Sequence, residues 1–141
     1  MSGENLSELA AAFEGAAKGA ADAVASLCAE DVVWRLSGDH VLSGEYKGTE
    51  AVREVVAKLA KFPAGVYSVV PEAATLEGDF EFGFGLVVTR REVARPGVAP
   101  IEWRSFDIAR FADGRIEEIW TFASPEEDAN AGFACPVPAA S

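Results

Sequence analysis

Apolar residues recur at three- and four-residue steps from Leu6 through Leu9, Phe13, Ala17, Ala20 and Val24 to Leu27. That spacing predicts helix over residues 4–28. Gly15 and Gly19 each weaken such a helix by roughly 1 kcal/mol relative to alanine. A kink or break is therefore expected near residues 19–21, with Asp22 able to cap a second segment. From Asp31 to Leu36 the period falls to two: Val32, Trp34 and Leu36 share one side, Val33 and Arg35 the other. This is strand periodicity. Ser37-Gly38-Asp39 ends the strand, and Ser43-Gly44 and Lys47-Gly48 bracket a short turn around Tyr46. Thr49 is placed to cap a helix over residues 49–62, striped by Val52, Val55, Val56, Leu59 and Phe62 and closed by Pro63 and Gly65.

Beyond residue 65 the two-residue period dominates. Val66 to Leu76 reads as a strand in which Pro71 marks a bend or an edge. Glu77-Gly78-Asp79 turns the chain. Phe80, Phe82, Phe84, Leu86 and Val88 then alternate with Glu81, Gly83, Gly85, Val87 and Thr89, the clearest strand in the chain. Arg95-Pro96-Gly97 turns back into a strand from Glu102 to Phe111, with Trp103, Ser105, Asp107, Ala109 and Phe111 on one face. Asp113-Gly114 makes a hairpin turn into a last strand, Arg115 to Ala123. Helices first and a strand meander after them predict an α+β fold. The expected organisation is one domain over residues 1–133 and a loose tail over 134–141, with no internal repeat.

The length of 141 residues suits one domain with a sizeable core, and a half-hydrophobic composition argues against disorder. Twelve basic against 23 acidic residues, net −11, disfavour nucleic acid and anionic membrane as partners. No apolar run approaches membrane-spanning length, and the N-terminus lacks the basic region of a signal peptide. Cys28 and Cys135 have neither the spacing of a metal site nor that of a disulfide framework. A cytoplasmic protein without metal or cofactor is expected.

Asp107 is the most informative carboxylate. It lies in the middle of a strand, where aspartate is disfavoured, in phase with Trp103 and Ser105. Either a cross-strand ion pair or an exposed face accounts for it, or it points into a pocket. His40, the sole histidine, sits beside Asp39 in the loop from Gly38 to Gly44 and is either a proton carrier at a pocket rim or a solvated loop residue. Tyr46 and Tyr67 can donate phenol hydrogen bonds or pack with the hydroxyl at the surface. Trp34, Leu36, Phe82, Phe84 and Trp103 are either pocket walls or plain core. If Ile119 and Thr121 face inward, then Trp120 and Phe122 face outward and need cover, which a dimer through the sheet would provide.

Three stretches carry a resemblance: Ala29-Glu30-Asp31-Val32-Val33-Trp34, then Leu42-Ser43-Gly44-Glu45-Tyr46-Lys47-Gly48 with Ala51-Val52-Arg53, then Phe106 through Ile116 with Trp120 beyond. Together they resemble the SnoaL-like and ketosteroid-isomerase-like branch of the nuclear-transport-factor-like superfamily, over residues 5–133. The resemblance implies a cone-shaped α+β barrel, a cystatin-like roll in which a strongly bent, mainly antiparallel sheet wraps the N-terminal helices. It implies a pocket at the open end and dimerisation through the sheet. Asp107 matches the strand position from which ketosteroid isomerases project an acidic residue. Leu36 stands where they carry a proton-shuttling aspartate, and their first-helix tyrosine falls near Ala12 and Phe13. Steroid isomerisation by that route is not expected. The Asp-Arg-Asp set of limonene-epoxide-hydrolase-like members is also incomplete: Arg104 is out of phase with Asp107, and Ser124-Pro125 replaces the last acid.

Two readings stay open. One is a cofactor-free acid/base enzyme of cyclase, isomerase, dehydratase or hydrolase type, acting on a small hydrophobic carbonyl, polyketide-like or epoxide compound. Asp107 and His40 would be catalytic; Trp34, Leu36, Tyr46, Phe82, Trp103, Ser105 and Thr121 would contact the ligand. The other is a non-catalytic ligand-binding or protein-interaction member of the same fold. An open pocket floored by Asp107 favours the first, and a pocket filled by Trp34, Phe82 and Trp103 favours the second.

Overall fold

The computed structural model describes residues 2–59, 66–94, 96–97 and 99–132. The elements run α1 (Ser2–Ala17), α2 (Asp22–Ala25), β1 (Cys28–Leu36), β2 (Gly44–Lys47), α3 (Thr49–Leu59), β3 (Val66–Gly78), β4 (Phe82–Ala94), β5 (Ile101–Ala112), β6 (Arg115–Ser124) and α4 (Glu126–Gly132). The strands form one six-stranded sheet in the order β2-β1-β6-β5-β4-β3. All neighbours are antiparallel except β1 and β6, which run parallel. The sheet is open, with β2 and β3 as its edges. This is the α+β architecture expected from the sequence.

The predicted break in the first helix is present. Gly19 takes φ 94°, open to a residue without Cβ, and separates α1 from α2. Asp22 does not cap α2; Ala21 holds that position, and Asp22 accepts a 2.7 Å bond from Arg53 Nε instead. Cys28 opens β1 rather than closing a helix: α2 ends at Ala25, and Leu27 N–H donates to Val24 O in the turn that follows. Its buried thiol donates to Val24 O at 3.3 Å. The segment around Tyr46 is a strand, not a turn, since residues 44–47 pair in register with Leu36 back to Val33. Gly48, at φ 91°, precedes α3 and takes the capping position expected of Thr49. Residues 60–65 and 133–141 lie outside the described residues, so the predicted helix end, the tail and Cys135 do too. Pro71 sits on the edge strand β3 at a register shift, as its missing N–H requires.

Alternation along the strands sets two faces. The inner face carries Val87, Thr89, Arg91 and Val93 from β4, Trp103, Ser105, Asp107, Ala109 and Phe111 from β5, Ile119 and Thr121 from β6, and Val32, Trp34 and Leu36 from β1. Helix α1 lays Leu9, Phe13 and Ala16 into this face, and α3 adds Val52, Val55 and Val56. Gly85 makes room for α1: a Cβ there would meet Leu9 Cδ2 at 2.5 Å. Helix α4 packs on β5 and β6 and buries Ala129. It carries no apolar stripe beyond that alanine, which is why periodicity does not reveal it. The outer face carries Phe84, Leu86 and Val88 against Ile108, Phe106, Trp120 and Phe122. Phe82, expected in the pocket wall, is 69% exposed on the outer face, and Phe84 shares that phase. Helix α1 occupies the inner side of β4, so the glycines face in and the aromatic residues face out.

Candidate active site

Asp107 lies at the centre of the inner face, 1% exposed. Register places it opposite Val87 on β4 and Thr121 on β6. Thr121 Oγ1 donates to Asp107 Oδ1 at 2.7 Å, and Trp34 Nε1 donates to Thr121 Oγ1 at 2.8 Å. The direction of this chain is forced. An indole N–H can only donate, so the threonine hydrogen must go to the carboxyl group. Oδ1 is therefore an acceptor, and any proton on Asp107 sits on Oδ2. Oδ2 is buried and has no hydrogen-bond partner among the described residues.

Arg91, which the sequence reading missed, is 5% exposed and shares the face. It sits opposite Trp103 in the ladder, and its side chain reaches back along the strand. Nε donates to Thr89 Oγ1 at 3.0 Å, and Nη1 donates to the Tyr67 hydroxyl at 2.9 Å. Nη2 stands 3.7 Å from Asp107 Oδ2, an ion pair without a hydrogen bond. Tyr67 stacks on Trp103 with ring centroids 6.3 Å apart, which fixes the phenol that fixes the guanidinium.

Burial raises the Asp107 carboxyl above the usual carboxylate range, and the Arg91 charge and the Thr121 bond offset this only in part. Burial also works against the Arg91 charge, but the attraction of Tyr67 and Asp107 and the Tyr67 bond outweigh it, so Arg91 stays a cation. Burial raises the Tyr67 phenol, against the pull of Arg91. The site thus holds a fixed cation beside a carboxyl that resists ionisation.

Two small cavities adjoin these groups. The inner one, about 10 Å³, is bounded by Phe13, Ala16, Ala17, Trp34, Leu36, Arg91, Asp107 and Thr121. That is about the room one water needs. The outer one, about 20 Å³, is lined by Leu36, His40, Arg91, Trp103, Ser105, Thr121 and Ala129 among others. Leu36, Arg91 and Thr121 wall both. A larger cleft of about 160 Å³ lies by Leu9, Phe80 and Phe111. It brings no buried polar side chain to its wall, so the candidate site is the smaller pair.

Of the residues singled out from sequence, Trp34, Leu36, Trp103, Ser105, Asp107 and Thr121 converge here, and His40 lines the outer cavity only. His40 Nδ1 accepts from Leu42 N–H at 3.2 Å, and burial lowers its pKa, with Asp39 opposing, so the ring is neutral at neutral pH. Tyr46 lines neither cavity. Its hydroxyl donates to Leu42 O at 2.6 Å, so Tyr46 braces the loop after β1. The same loop is tied to α4, where Asp39 N–H donates to Asn130 Oδ1 at 2.8 Å. Among the described residues no group of three His, Cys, Asp or Glu side chains is placed to hold a metal ion. Nor is any helix among them long and apolar enough to cross a membrane.

Solved structures with the same fold include Bal32a from a soil-derived mobile gene cassette, at 15% identity and TM-score 0.74, covering 94% of this chain and 98% of that one. An NTF2-like protein from Burkholderia xenovorans matches at 18% identity and TM-score 0.67, again over 94% and 98% of the two chains. TerC, co-crystallized with polyporic acid, matches at 18% identity and TM-score 0.64, over 84% and 89%. At these identities the likeness concerns fold alone. No curated protein matches the chain. The model of the SnoaL-like domain matches residues 9–119, from the first buried leucine of α1 to the strand that faces Trp34, and the chain belongs to the SnoaL-like family within the NTF2-like fold.

Proposed function

We propose that the protein is a cofactor-free acid/base enzyme acting on a small carbonyl compound, with Asp107 as the proton-transfer group. The observation that carries this reading is Asp107 Oδ2, a buried carboxyl oxygen with no hydrogen-bond partner beside an internal cavity. A structural carboxylate at that depth is expected to be hydrogen-bonded through both oxygens. In the proposed reaction Oδ2 takes a proton from the carbon next to a carbonyl and returns it elsewhere on the same skeleton, so no net proton is consumed. Arg91 Nη2 stabilises the oxyanion that forms between the two transfers. Thr121 holds Oδ1, with its own hydroxyl fixed by Trp34, so the carboxyl cannot rotate its basic oxygen away. His40 is a residue of the entrance in this reading. Leu36 in the cavity wall carries no proton, which argues against ketosteroid isomerisation by the familiar two-carboxylate route. TerC with polyporic acid bound, at the same fold, supports a small-ligand pocket.

The test is deuterium incorporation. Wild type and Asp107→Asn are incubated in D₂O with a panel of cyclic β-dicarbonyl compounds, and exchange is followed by proton NMR. Wild type should exchange the α-position of at least one compound above the buffer rate, and Asp107→Asn should not. Exchange that persists in Asp107→Asn would remove Asp107 from the chemistry.

A second reading has its own support. The cavities near Asp107 are small, and Trp34 and Trp103 fill much of the inner face. The outer sheet face meanwhile exposes Phe82, Phe84 and Phe122. A non-catalytic interaction module fits those two facts. Both readings share a homodimer through the outer face, because its apolar rows are bordered by charges of both signs. Arg90 and Arg104 stand with Glu72 and Glu102 at one end, and Arg35 and Arg110 with Glu117 and Glu118 at the other. A second copy, turned about a two-fold axis, could satisfy both the apolar rows and the charged borders.

A further inference from the structure

Arg91 and Asp107 are the two charged residues buried among the described ones. A guanidinium carries five N–H groups in a rigid fork, and a carboxylate that fits it accepts two of them at hydrogen-bond distance. Asp107 does not fit in this way: Nη2 is 3.7 Å from Oδ2, and Oδ2 accepts nothing. Thr89 and Tyr67 take one N–H each from Nε and Nη1, which aims the fork without using Nη2. Arg91 stands on the wall common to both cavities, and Ser105, itself 2% exposed, lines the outer one beside it.

We infer that the two cavities are halves of one ligand site selective for a small organic anion, a carboxylate or an enolate-type oxyanion. Its charged oxygen pairs with Arg91 Nη2 and the Ser105 hydroxyl, and its apolar part faces Phe13, Ala16 and Trp34 beside Asp107 Oδ2. The inference rests on the reading of Asp107 as the proton-transfer group and names the ligand class for that site. It has a consequence for the acid itself. With an anion on Arg91, an ionised Asp107 faces a like charge, so its titration moves up in pH while the anion is bound; in turnover the oxyanion appears on Arg91 only as Oδ2 takes its proton, so the same effect favours the protonated acid that then returns it. The surroundings do not oppose this. Among the described residues, Tyr67 on β3, bonded to Arg91, and His40 in the loop after β1 are the other titratable groups facing the pair. Phe13, Ala16 and Ala17 on α1, Trp34 on β1, Thr121 on β6 and Ala129 on α4 carry no charge.

Acetate and acetamide share a shape, differ in charge and are small enough for cavities of this size, so they serve as the probes. In ¹H–¹⁵N NMR titrations of wild type, acetate should move the amides of residues 87–91 and 103–107 and bind about tenfold more tightly than acetamide. Arg91→Gln should bring the two probes within about twofold of each other. Should Arg91→Gln fail to fold, Ser105→Ala provides the test: it should weaken acetate several-fold and narrow its lead over acetamide. Carbon-13 titration of Asp107 should shift upward in pH when acetate saturates wild type. Equal binding of the two probes, a preference that survives in both variants, or a downward shift of Asp107 would each overturn the anion site while leaving the proton-transfer reading standing. If neither probe moves those amides, the pocket reading falls with it.

Discussion

Thr121→Val is the most direct probe of the Asp107 site, because it keeps the shape of the side chain and removes one hydroxyl. Two buried partners lose their bond at once: the indole N–H of Trp34 loses its acceptor, and Asp107 Oδ1 loses its donor. A buried polar group left unpaired costs about 1–3 kcal/mol, so the two together cost about 2–6 kcal/mol at neutral pH. Unfolding entropy of roughly 2.1 cal/mol/K per residue gives about 0.3 kcal/mol/K for 141 residues, so the melting temperature should fall by roughly 7–20 °C. The deficit also has a pH signature. Asp107 already has a raised pKa in the folded state, so its contribution is most favourable below the unfolded pKa and is lost as pH rises through the folded one. Losing the Thr121 donor, which lowers that pKa, raises it further. The gap between variant and wild type should therefore widen from acidic toward neutral pH. Thermal melts of both proteins from about pH 4 to pH 8 measure it, bracketing the ordinary carboxyl range. A variant that melts within a degree of wild type at neutral pH, or a deficit independent of pH, would refute the claim that the Trp34–Thr121–Asp107 chain is formed and oriented as described.

Sedimentation should find a dimer, with Trp120→Glu shifting it toward monomer; a wild-type monomer at about 50 μM, where even a modest interface associates, would sink the outer-face proposal. Gly85→Ala should cost about 1–3 kcal/mol, since its Cβ would press on buried Leu9 at 2.5 Å, and chemical denaturation would expose the idea if the midpoint did not move. Burial pushes the Cys28 thiol up to about 12, against the pull of Arg115 and Arg53, so iodoacetamide should not label it in the native protein at pH 8, as mass spectrometry can check.

The strand periodicities of β1, β4, β5 and β6 were legible because each has one apolar and one mixed face. Asp107 stood out because a carboxylate in phase with Trp103 and Ser105 contradicts its strand. Arg91 was not seen. Within Thr89-Arg90-Arg91-Glu92 it reads as one member of a solvated charge cluster. Counting by twos from Val87 would have found it, yet the phase of β4 was set by its aromatic residues, and those face outward. That reversal is a tertiary effect: hydrophobicity tells which residues seek cover, not whether a helix or a second copy supplies it. Tyr46 stands out for a related reason, since a phenol near a pocket mouth is chemically suitable, and only coordinates reveal that its hydroxyl donates to Leu42 O. Helix α4 is seven residues of mostly polar sequence, and its place over β5 and β6 depends on contacts that leave no period.

The parallel pairing of β1 with β6 also governs when the protein can acquire its site. Trp34 and Thr121 are 87 positions apart, so the bond that fixes the hydroxyl holding Asp107 closes a loop more than half as long as the chain. Chain-entropy scaling puts the length-dependent cost of that closure near about 4 kcal/mol, before any contact is gained in return. On the ribosome the first strand must wait, one edge satisfied by β2 and the other bare, until β6 has emerged to occupy it. Folding should accordingly be slow for a chain of this size, in the millisecond-to-second range of non-local topologies. A nascent chain stopped before Thr121 should leave the Trp34 indole in water, where its fluorescence can report it. The sixth strand of the sheet is thus the timer for the first: a chain can hold Trp34, Arg91 and Asp107 and still lack the threonine that joins them.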